Sequence, residues 1–266
     1  MFAVVTGATG GLGRSIVNEC AKRGYDILLS ATKQERLEAL KEEIEKQYPT
    51  IQVFAKECKL NVKESREELF SYISCLDKKP NMLILNAGYI LEGSVMGCEQ
   101  DEIQSCIDVN VTGNMDLVYW FLKNRNVSDQ NYLLFVSSMA GFYPMPQMAT
   151  YASTKAFLSH MAVALRKELK GQKVNVSVVC PGGMATNEAM KRSIKSQGIG
   201  GALSAQSTEK IARIGIKNVL KNKAIWVPGF FNQATVFFSK FFPKTTIASA
   251  VGNRWVKCEK KRGDYR

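Results

Sequence analysis

The chain has 266 residues, 45% of them hydrophobic and 23% charged, enough to bury a sizeable core in one large α/β domain. No apolar run reaches the roughly 18 residues of a membrane span, and the first residues enter a strand-like run at once, so a soluble, cytoplasmic protein without a signal peptide is expected. Of the net charge of +12, half falls between Lys240 and Arg266, where eight basic residues face two acidic ones; no recognition motif accompanies it, which argues against nucleic acid and for a solvated tail.

In chain order, short apolar runs alternate with helical patterns. They are "MFAVVTG" before a helix at about 12–30, "YDILLSA" before 33–48, "IQVFAKE" before 63–77, and "NMLILNAG" before 99–124. "NYLLFVSS" then precedes a helix at 151–170, "VNVSVVCPGG" one at 208–221, and "AIWVPGF" closes the series. Nearly continuous apolar strands separated by helices imply a doubly wound parallel sheet of about seven strands, covered on both faces. The expected organisation is a single domain over 1–229, with a weakly patterned segment at about 184–207, and an aromatic, basic extension over 230–266. Seven scattered cysteines, at 20, 58, 75, 98, 106, 180 and 258, contain no C-x-x-C pair, so neither a disulfide framework nor a metal site is expected.

Ligands of such sheets bind beyond the carboxyl ends of the strands, and four of those ends carry polar or glycine-rich motifs: "TGATGGLG", "NAG", "VSSMAG" and "PGGMAT". The first spaces Gly7, Gly11 and Gly13 as G-x-x-x-G-x-G, which permits a tight turn and lets backbone N–H groups and a helix N-terminus approach a pyrophosphate. "TYASTKAFLSH" sets Tyr151 and Lys155 one helical turn apart, on a row continued by the apolar Leu158, Ala162, Leu165 and Leu169. A lysine on a buried row needs partners, because an unpaired ammonium is costly to desolvate.

These motifs together resemble the short-chain dehydrogenase/reductase family of the classical type, from Val4 to about Phe230. The resemblance rests on Thr6-Gly7-x-x-x-Gly11-x-Gly13, Asn86-Ala87-Gly88, Asn110 in "VNVTG", Ser138 thirteen residues before Tyr151, Tyr151-x-x-x-Lys155, and Pro181-Gly182-x-x-x-Thr186. It implies a Rossmann-type fold and an NAD(P)-dependent oxidoreductase interconverting a ketone or aldehyde and an alcohol. It also implies Ser138 orienting the carbonyl oxygen, Tyr151 as proton donor, Lys155 lowering the phenol pKa and holding the nicotinamide ribose, and Asn110 holding a water in a proton relay. Thr6, Gly7, Gly11, Leu12, Gly13, Asn86, Ala87, Gly88, Pro181, Gly182 and Thr186 are carried over as cofactor contacts. Ser137 is the less favoured of the two serines. Relatives are often dimers or tetramers, so a homo-oligomer is expected.

The end of the second strand carries no acid to meet a ribose 2′-OH; Ser30, Thr32 and Lys33 suit a 2′-phosphate, which favours NADP, with NAD possible. Where relatives place an aspartate near the adenine stands Lys59, which cannot accept that bond. Phe142, Tyr143, Met145, Met184 and Met190 suggest an apolar wall for a lipidic or aromatic small-molecule substrate. The sole histidine, His160, lies off the Tyr-Lys row and reads as packing or surface. Six phenylalanines between 230 and 242 must be covered, with packing on the domain or an oligomer interface favoured over a substrate lid or a membrane surface. The rival functional readings are a non-catalytic dinucleotide-binding sensor or scaffold, and a membrane-associated lipid ketone reductase.

Overall fold

A computed structural model describes residues 1–186 and 188–262. The sheet is wholly parallel among the described residues, and each strand is followed by helical chain: β1 Phe2–Thr6, α1 Gly11–Lys22, β2 Asp26–Ala31, α2 Gln34–Gln47, β3 Val53–Glu57, α3 Lys63–Ser74 and β4 Met82–Leu85. The second half continues with α4 Gln100–Ile107, α5 Gly113–Asn124, β5 Asn131–Val136, α6 Ala149–Glu168, β6 Val174–Val179, α7 Glu188–Ser196, α8 Gly198–Ser204, α9 Thr208–Leu220 and β7 Ile225–Trp226. Two further helices, α10 Phe230–Ser239 and α11 Lys244–Arg262, follow the last strand.

Strand order is β3-β2-β1-β4-β5-β6-β7, so the direction of winding reverses between β1 and β4. The crevice beyond their carboxyl ends is the switch point at which this architecture accepts ligands. The strand residues alternate between two cores, as a period of two demands. Val5, Leu29, Ile84 and Leu134 pack under α1, α2 and α9 with Ile16, Leu37 and Ile216. Val4, Leu28, Leu85 and Phe135 pack under α3, α5 and α6 with Leu69, Phe121 and Leu158. Both faces are therefore sealed, and polar groups collect at the strand ends. Each fully buried side chain of this size contributes about 1.5–3 kcal/mol.

Several boundaries differ from the sequence pattern. The helix expected at 12–30 ends at Lys22, because Gly24 adopts a left-handed φ of +73° and the chain turns directly into β2. The long helix expected at 99–124 is broken by a π-helical turn over Asp108–Thr112, between α4 and α5. The weakly patterned segment at 184–207 holds two short helices, α7 and α8, and the extension is helical rather than a solvated tail. The last four residues of that extension lie outside the described ones.

Candidate active site and cofactor cleft

The glycine turn is built at the end of β1. Gly7 takes a φ of +63°, which turns the chain back beneath the start of α1, and the Gly10 N–H donates to Gly7 O at 3.2 Å. A Cβ on Gly13 would stand 2.0 Å from Gly7 O, so only glycine lets α1 begin this close to the turn. Gly10 caps the helix without a side chain, which leaves the first-turn N–H groups directed at the crevice, an arrangement suited to a pyrophosphate. Gly13→Ala is expected to cost roughly 1–3 kcal/mol through this overlap and to weaken NADPH binding at least tenfold in a fluorescence titration.

Thr6 and Asn86 lock the switch point. Thr6 Oγ1 donates to Ile84 O at 3.2 Å and accepts from the Asn86 and Ala87 amides, both at 3.1 Å. Asn86 Nδ2 donates to Thr6 O at 3.0 Å and to Gly7 O at 3.1 Å. These two side chains hold the ends of β1 and β4 in register and fix the turn between them. The resulting cleft, about 400 Å³, is lined by Thr6, Gly7, Gly11, Leu12, Gly13, Ser30, Thr32, Asn86, Ala87, Gly88, Tyr151, Lys155 and Thr186. Of the expected cofactor contacts, Lys33 lies outside it, because this residue is the extended, solvent-exposed N-cap of α2. Pro181 and Gly182 border the neighbouring cavity instead. Lys59 also turns away, its ammonium 3.7 Å from Glu57 Oε1. Cys58, Leu60 and Asn61 line this part of the cleft, and Thr9 and Ile90 join it elsewhere; no motif singles these residues out. The cleft has the size, the helix N-terminus and the glycine cradle that a dinucleotide requires.

The candidate catalytic side chains lie where α6 crosses the end of β5. Tyr151 is 9% exposed and Lys155 4%, with Lys155 Nζ 5.8 Å from the Tyr151 ring centroid and donating to Val136 O at 3.1 Å. Gly88 keeps room for that ammonium, since a Cβ there would lie 3.1 Å from it. Ser137 is a structural latch: its hydroxyl donates to Lys155 O at 2.7 Å and accepts from Ser159 Oγ at 2.8 Å, which fixes α6 on β5. Ser138, in extended conformation, faces the site near the Tyr151 hydroxyl, and its Oγ accepts from the Ala140 amide at 3.1 Å.

Burial pushes the Tyr151 phenol up, and the nearby Ser138 hydroxyl only partly offsets it. Burial also drives Lys155 down, to about 8, against the opposing influence of the Cys106 and Cys180 thiols. This differs from the expectation of a phenol depressed by its lysine: desolvation is the largest influence on both buried groups. At neutral pH the pair is thus a neutral phenol beside a cation, a state ready to give a proton rather than take one.

Asn110 owes its place to the π-helical turn, which pushes it into the core with no exposed surface. Its Oδ1 accepts from the Tyr89 amide at 2.8 Å, and its Nδ2 donates to Tyr89 O and Thr154 Oγ1, both at 2.9 Å. Thr154 in turn donates to Tyr151 O at 2.8 Å. The side chain therefore ties the segment after β4 to the first turn of α6.

A second cavity of about 860 Å³ meets the cleft at Tyr151. Ser138, Tyr143, Met145, Met184 and Met190 line it, as the sequence suggests, but Phe142 does not. The 3₁₀ turn over Met139–Phe142 sends Phe142 into the core under α6, while Tyr143, its C-cap, faces the cavity as expected. Ser239 lies near the Tyr143 hydroxyl, which makes no hydrogen bond, and Ser239 Oγ donates to Val236 O at 2.8 Å. The far wall consists of Phe231, Phe238 and Phe242 from α10 and its end, and Ile247, Val251 and Trp255 from α11. Asn232 anchors this wall: fully buried, its Nδ2 donates to Ser204 O at 3.0 Å and to Pro228 O at 2.7 Å. The spacing 247, 251 and 255 is a helical row that the sequence displayed without showing what it faced.

A doubly wound parallel sheet with a glycine turn at its switch point defines a nucleotide-binding α/β protein. The sequence model of the family described as short chain dehydrogenase matches residues 1–214, and the chain belongs to that family. It is similar to the very-long-chain 3-oxoacyl-CoA reductase of Emericella nidulans, 31% identical over 182 residues, 67% of this chain and 52% of the relative. The chain thus spans about half the length of such curated relatives. Two solved structures share its fold. One, from a study of 7beta-hydroxysteroid dehydrogenase stereoselectivity, has a TM-score of 0.83 at 21% identity and covers 94% of this chain and 96% of its own. The other is a short-chain dehydrogenase from Sphingobium yanoikuyae in complex with NADPH, with a TM-score of 0.76 at 21% identity, covering 91% of this chain and 96% of its own.

Proposed function

We propose that the protein is an NADPH-linked carbonyl reductase for a bulky apolar ketone or aldehyde. The observation that carries this is the meeting of two cavities at the Tyr151 hydroxyl: a glycine-cradled cleft on one side and a large, mostly apolar chamber on the other. The reductase name of a relative and the NADPH held by a protein of the same fold support the reading.

In this mechanism Ser138 donates a hydrogen bond to the substrate oxygen and fixes the carbonyl against Tyr151. Bound NADPH supplies the hydride that reduces the carbonyl carbon. Tyr151 gives its proton to the oxygen as negative charge develops there, and Lys155 stabilises the phenolate left behind. Gly11, Gly13 and the first turn of α1 hold the pyrophosphate, Lys155 the nicotinamide ribose, and Thr186 closes over the cleft from the segment before α7. Asn110 keeps the first turn of α6 aligned through Thr154.

The test is turnover on a panel of apolar ketones, including 3-oxoacyl thioesters, with NADPH and with NADH. NADPH-dependent reduction of a panel member is expected; binding of NADPH without turnover on any of them would assign a sensor or scaffold instead. The absence of an acid at the end of β2 gives a second expected result. Ala31→Asp places a carboxylate at the lip of the cleft, against the 2′-phosphate, and should raise the KM for NADPH roughly tenfold, equivalent to about 1.4 kcal/mol, while NADH is affected less. Equal effects on both coenzymes would remove NADP preference from the reading.

A further inference from the structure

Outside the cavities, the most unusual surface is the outer side of α10 and the turn that follows it. Phe230 is 87% exposed and Phe241 69%, and Phe237, Phe238 and Phe242 are each more than half exposed. Phe237 meets Phe238 edge-on with centroids 5.6 Å apart and Phe241 at 5.4 Å, so the rings form one continuous patch. The packing on the domain that the sequence favoured for this segment covers one side of α10 only. Aromatic surface this dense marks a contact.

The charge around the patch says what it contacts. From Pro228 to Cys258 the sequence holds four lysines and arginines, Lys240, Lys244, Arg254 and Lys257, and no aspartate or glutamate. Two of them, Lys240 and Lys244, are exposed at the end of α10 and the start of α11, flanking Phe241 and Phe242. We infer that α10 and the start of α11 dock on an anionic lipid surface, with Phe230, Phe237 and Phe241 entering the interface and Lys240 and Lys244 resting on the head groups. A second copy fits less well. A two-fold contact would set the same lysines against themselves, with no acid in this stretch to offset them. No described helix is long and apolar enough to cross a membrane, so the contact is with its surface. Phe238 and Phe242 belong both to the patch and to the cavity wall, so a docked molecule opens its chamber toward the lipid. That last step rests on the proposed function; the docking does not.

The experiment is sedimentation of the full chain with vesicles of phosphatidylcholine alone and of phosphatidylcholine with phosphatidylglycerol, without substrate or coenzyme. The protein should pellet with the anionic vesicles and stay in solution with the neutral ones. Lys240→Gln with Lys244→Gln should weaken partitioning roughly tenfold or more, and Phe237→Ser with Phe241→Ser by a similar factor. Neither of those rings lines the cavity, so melting temperature and turnover of a water-soluble ketone should stay at the unmodified level. Failure of the unmodified protein to pellet, or pelleting untouched by both pairs of substitutions, would overturn the docking. So would light scattering that shows a dimer, broken by the phenylalanine substitutions, with no vesicle binding. Because vesicle binding is read without catalysis, a failed reductase assay leaves it standing and a failed vesicle assay leaves the reductase standing.

Discussion

Replacing Tyr151 with phenylalanine is expected to lower turnover by about 10²–10⁴-fold, the usual contribution of a positioned acid, while NADPH affinity changes by less than about twofold, well under 1 kcal/mol. The change removes one oxygen. The ring remains packed with Leu91, Met148, Ala152 and Trp255, so the chamber keeps its shape. Loss of the polar contact with the nearby Ser138 hydroxyl is the main structural consequence, and the melting temperature should shift little. Stopped-flow or steady-state reduction of an active ketone, paired with coenzyme titration, separates the two effects. Retained turnover would remove Tyr151 from the role of acid; lost coenzyme binding would show that the phenol holds the cleft together instead.

Lys155→Met should produce an opposite pair of results: turnover lost by a similar factor, and a protein more stable than the original. The lysine is held at a pKa of about 8 against 10.5 for the free side chain. Below pH 8 the folded protein therefore carries a buried cation that the unfolded chain carries in water, a constant penalty of about 3 kcal/mol. Between pH 8 and 10.5 the unfolded chain binds the proton and the folded chain does not, so native stability rises with pH across that window. Methionine removes the penalty and loses the bond to Val136 O, worth about 1 kcal/mol. A net gain of about 2 kcal/mol, or several degrees in melting temperature, is expected at pH 7. The gain should shrink as the pH passes from 8 to 10.5. A variant that melts lower at pH 7 would show that the ammonium is better solvated than its surroundings imply. A residue that costs stability and is kept at the centre of the site is what a functional lysine looks like.

The sheet and the core of the site were legible in the sequence because both are written in local patterns. Strands buried on two faces read as apolar runs, the glycine turn follows a strand directly, and Tyr151 and Lys155 share a helical row that is otherwise apolar. What was less legible depends on contacts between distant segments. The break at Asp108–Thr112 has no proline or glycine inside it to announce it, yet it carries Asn110 into the core. That only Tyr143 of the expected pair Phe142 and Tyr143 lines the cavity turns on one short 3₁₀ turn, finer than residue type can resolve. Lys33 had the right charge at nearly the right place, but the cap of α2 leaves it in solvent. The direction of the Tyr151 shift needed the burial of both partners, which spacing cannot supply. In the extension, the phenylalanines announced that something must cover them, and only the fold showed the cavity on one side and solvent on the other.

The wall formed by α10 and α11 lies beyond residue 214, where the match to the family model ends, whereas Ser138, Tyr151, Lys155 and the glycine turn lie within it. Part of the chamber wall is thus carried by a stretch of chain that follows the candidate catalytic residues, while Tyr143, Met145, Met184 and Met190 supply the rest from within the matched region. Substitutions after residue 229 can reshape the chamber without passing through a residue that moves a proton. The helices after residue 229 are therefore the natural place to begin when reshaping the chamber without touching Ser138, Tyr151 or Lys155.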